Sequence, residues 1–211
     1  MMLSGLNRRL WLAATTALSL SFALSAHAEG DAALGKKKFY TCYGCHGIES
    51  YKNAYPDYNV PKLRHQSAEY IAAALQEYKS GERPHATMHA QAASLSAQDM
   101  ADIAAYLQGA EPIKPAAGTI PPPPQAASCV ACHGDTGLGI DAPMTPKPPV
   151  LAGQHADYLE QALRAYRNGR RKNAVMAGMA QSLASDADVK LVAAYFASQP
   201  SPLAVAKVDS K

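Results

Sequence analysis

The chain has 211 residues, with 20 Lys+Arg against 17 Asp+Glu for a formal charge of +3, and 48% of its residues are hydrophobic. So even a balance excludes the basic footprint of nucleic-acid binding and leaves docking to local patches. The length suits one or two domains.

Residues 1–28 have the three parts of an export signal: Arg8-Arg9, an apolar stretch from Leu10 to Leu24, and Ala26-His27-Ala28, with cleavage expected after Ala28. An uncleaved anchor is the competing reading. The apolar run is short for a membrane span, however, and is diluted by Thr15, Thr16, Ser19 and Ser21. Loss of Arg8 and Arg9 lowers the formal charge to +1, and the expected compartment is the bacterial periplasm.

The following patterns read as helices. A helix is expected over Asp31 to Tyr43, entering Cys42-Tyr43-Gly44-Cys45-His46. Ala68 to Lys79 and Ala156 to Asn168 carry apolar residues at helical spacing and stop at Gly81 and Gly169. The last helix of each half begins with a capping-box-like start, Ser96-x-x-Asp99 running to Gln108 and Ser185-x-x-Asp188 running to Ser198. No run alternates as a strand should, so the expected class is all-α.

All four cysteines fall in two Cys-x-x-Cys-His motifs, the second being Cys129-Val130-Ala131-Cys132-His133. Two thiols one helical turn apart can add across the vinyl groups on one haem edge, and the adjacent histidine is then brought beneath the iron. The motif is therefore a c-type haem-attachment signal, and two motifs predict two covalently attached haems c. Zinc would need the pairs closer together than the more than eighty residues that separate them. A thioredoxin-like pair would need a strand-helix-strand context that neither motif has.

The second half repeats the first at an offset of 88. Pro61-Lys62-Leu63 falls on Pro149-Val150-Leu151, Gln66 on Gln154, Tyr70 on Tyr158, Gly81 on Gly169, Arg83 on Arg171 and Met88 on Met176. Shifts of one residue align the haem motifs and the Ala-Ala-Tyr of the last helices. Between the copies, Glu111-Pro112 through Pro124 is too rich in proline to continue a helix and reads as a semi-rigid linker. The expected organisation is a signal over 1–28, domains over 29–111 and 125–211, and a linker over 112–124. Each half is small enough to need its haem at the centre of its core.

His46 and His133 supply one axial ligand each. Met88 and Met176 are the expected sixth ligands, at the same repeat position in segments between helices. A thioether stabilises ferrous iron and raises the potential. Met179 competes with Met176, and His85 or His89 with Met88. Pro61 and Pro149 could each offer a carbonyl to the proximal imidazole N–H or simply mark a turn; Arg83 and Arg171 could face haem propionates or solvent.

These residues resemble the class I cytochromes c, and as a duplicated exported pair the chain is similar to the dihaem cytochrome c4 family. The likeness spans nearly all of the chain after residue 28. It is most specific at Cys129-x-x-Cys132-His133-Gly134, Pro149-Val150-Leu151-Ala152-Gly153-Gln154, Tyr166-x-x-Gly169-x-Arg171 and Met176-x-x-x-Ala180-x-x-Leu183. The resemblance implies two tandem class I cytochrome c-like domains, each wrapped around one covalently bound haem, with His/Met ligation in both. It also implies that the Pro61 and Pro149 carbonyls receive the histidines and that the propionates face each other. Family members are periplasmic, often loosely membrane-associated, and feed terminal oxidases. Two departures stand out. Glu49 to Val60, with Tyr51, Tyr55 and Tyr58, replaces the usual Gly-rich stretch, and only Gln125 to Ser128 precede Cys129 where a full helix is usual.

The expected function is non-enzymatic electron transfer between a respiratory donor and a terminal oxidase or other redox protein. The alternative is the dihaem subunit of an oxidoreductase such as flavocytochrome c sulfide dehydrogenase, with flavin on a separate polypeptide. A peroxidase would need an open iron beside His85 or His89, which a coordinating Met88 blocks.

Overall fold

The computed structural model describes residues 29–55, 57–110, 120–139 and 147–207. The expected export signal and residues 112–119 of the expected linker lie outside the described residues.

Among the described residues all regular structure is helical. The first half contains α1 (Ala32–Lys38), a 3₁₀ turn (Phe39–Cys42), α2 (Tyr43–His46), α3 (Ala68–Ser80), α4 (Ala86–Ala93) and α5 (Ala97–Gln108). The second contains a 3₁₀ turn (Pro124–Ala126), α6 (Ala127–His133), α7 (Ala156–Arg167), α8 (Ala174–Gln181) and α9 (Asp186–Ser198). β pairing is limited, among these residues, to isolated bridges between Lys52 and Asn59 and between Arg64 and Ala204.

Both capping boxes form. The Ser96 and Ser185 hydroxyls accept from the Asp99 and Asp188 N–H groups, and each aspartate accepts from the serine N–H in return. The segments expected as loops around the two methionines are instead the two-turn helices α4 and α8. At eight residues they are too short for periodicity to reveal. Each is started by a side chain, the His85 imidazole accepting from Met88 N and the Asn173 amide oxygen from Met176 N.

Each half has its own core. Phe39, Ile71, Ile103, Ala104 and Leu107 form the first; Ala126, Leu159, Val189, Val192, Ala193 and Phe196 form the second. The repeat aligns Phe39 with Ala126 and Leu107 with Phe196, so the large aromatic of the core comes from the first helical segment in one half and from the last helix in the other.

The halves differ at their entrances. Helix α1 lies so close to α5 that a Cβ on Gly35 would sit 1.9 Å from the Asp102 carbonyl oxygen. Asp102 is fully buried. It accepts from Asp31 N at 2.9 Å, Lys38 Nζ at 2.5 Å and Gln98 Nε2 at 2.8 Å. Among the described residues the second half shows no such helix, and Leu191, which the repeat places opposite Asp102, is 43% exposed.

The halves meet as repeats related by two-fold-like exchange. Gln66 bonds both backbone groups of Val150, donating to its O at 2.9 Å and accepting from its N at 2.7 Å. Gln154 does the same to Lys62, both bonds being 3.0 Å. Because 62 and 66 fall on 150 and 154 in the repeat, this is one contact made twice, as an isologous interface requires.

Candidate haem sites and the seam between them

His46 and His133 are the last residues of α2 and α6, and both are buried. His46 Nδ1 lies 3.0 Å from the Pro61 carbonyl oxygen and His133 Nδ1 3.3 Å from that of Pro149. A carbonyl can only accept, so Nδ1 carries the hydrogen and Nε2 keeps its lone pair. Burial outweighs the bond to Pro61 and, helped by nearby His85 and Arg83, pushes His46 down to about 4. Burial likewise lowers His133. Both rings are therefore neutral near pH 7, in the tautomer a metal needs.

Cys42, Cys45, Cys129 and Cys132 are partly exposed and joined by no disulfide. Burial pushes the Cys42 and Cys129 thiols up, away from the thiolate. Among the described residues no group of three or more His, Cys, Asp or Glu converges as a metal cluster.

Met88 and Met176 each occupy the third position of their short helix and are partly buried. Met179, one turn later, is 37% exposed. Both histidines near Met88 spend a ring nitrogen on backbone: His85 Nδ1 accepts from Met88 N at 3.3 Å, and His89 Nδ1 lies 2.8 Å from Tyr78 O. Asn173, which matches His85 in the repeat, performs the same capping without any capacity to bind iron through an imidazole.

Between the halves lies a cleft lined by Tyr58, Tyr78, Arg83, Tyr158 and Arg171. Both arginines are buried, at 7% and 6% exposure, so neither is solvated. Arg83 donates to Tyr70 Oη at 3.2 Å and to Tyr158 Oη at 2.5 Å; Arg171 crosses to Tyr70 Oη at 2.9 Å. Each also covers the face of a tyrosine, Arg83 over Tyr78 at 4.6 Å and Arg171 over Tyr166 at 4.4 Å. Negative charge is scarce here. Among the described residues Arg83 reaches a carboxylate only at Glu77, 4.0 Å away, and Arg171 reaches none, its Nε being buried without a partner. Burial opposes ionisation of Tyr70, yet Arg171 and Arg83 outweigh it and pull the hydroxyl down to about 7.

These features fit a haem in each half. The thiols are placed to serve as attachment points and the neutral imidazole has a lone pair free for a metal, and the seam holds buried cations whose burial is costly without anions, which propionates are. The sequence reading missed the bridging role of Gln66, Gln154, Tyr70 and Tyr158. Its one trace was the recurrence of polar residues at the same repeat position.

Comparison with known proteins agrees with this geometry. The Cytochrome c family profile matches residues 32–111 and again 125–200. The chain is 33% identical to cytochrome c4 of Pseudomonas aeruginosa over 196 residues, covering 84% of this chain and 93% of that protein. It is also 33% identical to a thiosulfate dehydrogenase electron acceptor of Stutzerimonas stutzeri strain A1501, covering 74% of this chain and 77% of that one. The crystal structure of reduced recombinant cytochrome c4 from Pseudomonas stutzeri superposes with a TM-score of 0.61 at 30% identity, over 81% of this chain and all of that one. Two tandem all-α cytochrome c domains, each with its Cys-x-x-Cys-His motif, place the chain in the cytochrome c family and, within it, among the cytochrome c4 electron-transfer proteins, which carry two covalently attached haems c.

Proposed function

We propose that the chain is a periplasmic dihaem shuttle in which His46 and Met88 hold one iron, and His133 and Met176 the other. It would be exported by residues 1–28, with cleavage after Ala28, and organised as domains 29–111 and 125–211 around the 112–124 linker. The observation that carries this reading is the doubled site: a buried neutral histidine on a proline carbonyl and a capped methionine helix, repeated on both sides of a seam of buried cations.

The haems, when bound, supply the one-electron chemistry. The protein's residues do the rest. Pro61 and Pro149 fix the ring orientation and tautomer of the histidines. His85 and Asn173 start the helices that present Met88 and Met176. Arg83 and Arg171, bracketed by Tyr70 and Tyr158, offset propionate charge where the two domains meet. Such a carrier would take electrons from a respiratory donor and pass them to a terminal oxidase or another redox protein, with loose membrane association. No helix among the described residues is long and apolar enough to cross a membrane.

A second reading is an electron-accepting subunit that stays with a dehydrogenase, favoured by the likeness to the thiosulfate dehydrogenase electron acceptor. An optical redox titration of the holoprotein tests the ligand set. Two near-red methionine-to-ferric-haem bands and indifference to carbon monoxide are expected; rapid carbon monoxide binding by either reduced haem would refute closed six-coordinate irons. Purification with a stoichiometric catalytic partner would select the subunit reading.

A further inference from the structure

The carbonyl of each haem-motif histidine ends its helix, and the two halves satisfy it from different places. In the second half Gly139 N donates to His133 O at 2.9 Å, from the loop that follows the haem motif. That loop needs glycine: φ is +63° at Gly139, and a Cβ there would lie 2.8 Å from Pro148 O. In the first half the corresponding segment goes elsewhere. It closes on itself through the Lys52–Asn59 bridge, while the bond it makes across the seam, Asn59 N to Asp157 Oδ2 at 2.9 Å, is matched in the second half by Lys147 N to Glu69 Oε2 at 2.8 Å.

The vacated role at His46 falls to residues far along the chain. Ala206 N donates to His46 O at 3.0 Å, and Ala206 is fully buried as a member of the first core. Arg64 and Ala204 exchange two backbone bonds of 2.9 and 3.2 Å, and Val205 is 6% exposed. Just upstream, Leu203 still packs with Leu138, Val150 and Ala152 of the second half.

We infer that residues 204–207 are a positioning strap that completes the proximal wall of the first haem site in place of a local Gly-rich loop. The inference rests on the His46 and Met88 ligand pair proposed above for the first haem. Without the strap a helix-end carbonyl loses its donor and the space filled by Ala206 opens in the core that carries the first haem motif. Water entering there favours the ferric state and lowers the potential. The second site, closed by Gly139, is insulated from this change.

The test compares the full-length holoprotein with a holoprotein ending at Leu203, each checked by mass for two haems. The readouts are both midpoint potentials and amide exchange across the two haem-motif helices. The expected result is a lower potential for the first haem alone, with roughly tenfold faster exchange over residues 43–47 and none of this over 130–134. Unchanged potentials and exchange, or equal shifts in both haems, would overturn the strap. If the shortened chain loses the first haem, Ala206→Pro, which removes the donor N–H while keeping the rest of the strap, is judged by the same two readouts. Failure of the ligand assignment shows separately, as a full-length protein whose first haem lacks the methionine band.

Discussion

In the first half α1 is anchored on α5 by a buried aspartate, and the haem motif is closed by residues from the far end of the chain. In the second, among the described residues, only a 3₁₀ turn precedes the helix that carries the haem motif, and a local loop does the closing. The copies nevertheless agree at the residues proposed to hold the haems and at the main seam contacts: histidine on proline carbonyl, methionine in a capped helix, glutamine on the opposite backbone, arginine on tyrosine. What the difference teaches is that the duplicated plan constrains contacts to the cofactor and to the sister domain, while each periphery is free to find its own support.

The comparison is broken most completely at the irons. Met88→Ala should abolish the methionine band of the first haem and leave the second, and Met176→Ala the reverse, each with a lowered potential at its own site; optical titration of the two variants decides. Next come the entrances. Asp102→Ala removes three buried bonds, one of them to a lysine, and should cost the first half about 1.5–3 kcal/mol, whereas Leu191→Ala should stay within about 0.5 kcal/mol. Denaturant unfolding followed at each haem separates the two.

Acid should find the same asymmetry. The Lys38 ammonium, with the Asp31 N–H and Gln98, holds the Asp102 carboxyl below its ordinary value of 3.8. A carboxyl depressed on folding stabilises above its unfolded value and loses that contribution as pH falls towards the folded one. The α1–α5 contact should therefore loosen below about pH 4, and an acid titration of Asp102→Ala should lack that step. Smaller and symmetric effects belong to the seam: Gln66→Ala and Gln154→Ala should each weaken coupling between the halves by about 1–2 kcal/mol, read as unfolding transitions that draw apart. Met179→Leu should change least, leaving both methionine bands in place.

Much of this was legible beforehand because it is local. The haem motifs, the capping boxes at Ser96 and Ser185 and the helix stops at Gly81 and Gly169 depend on residues within a few positions of each other. Helices α4 and α8 escaped notice because two turns give periodicity too little room. The burial of Arg83 and Arg171 was open on the sequence, since it depends on the tyrosines of the opposite half. Most hidden was Ala206, an alanine in an unpatterned stretch whose importance comes entirely from the backbone it meets 160 residues earlier.

That long reach bears on biogenesis. Cys42 and Cys45 are translated early and Ala206 late, with the whole second domain between them. If the strap closes the first haem site as inferred, the site whose cysteines are made first is completed only after the second domain has been made.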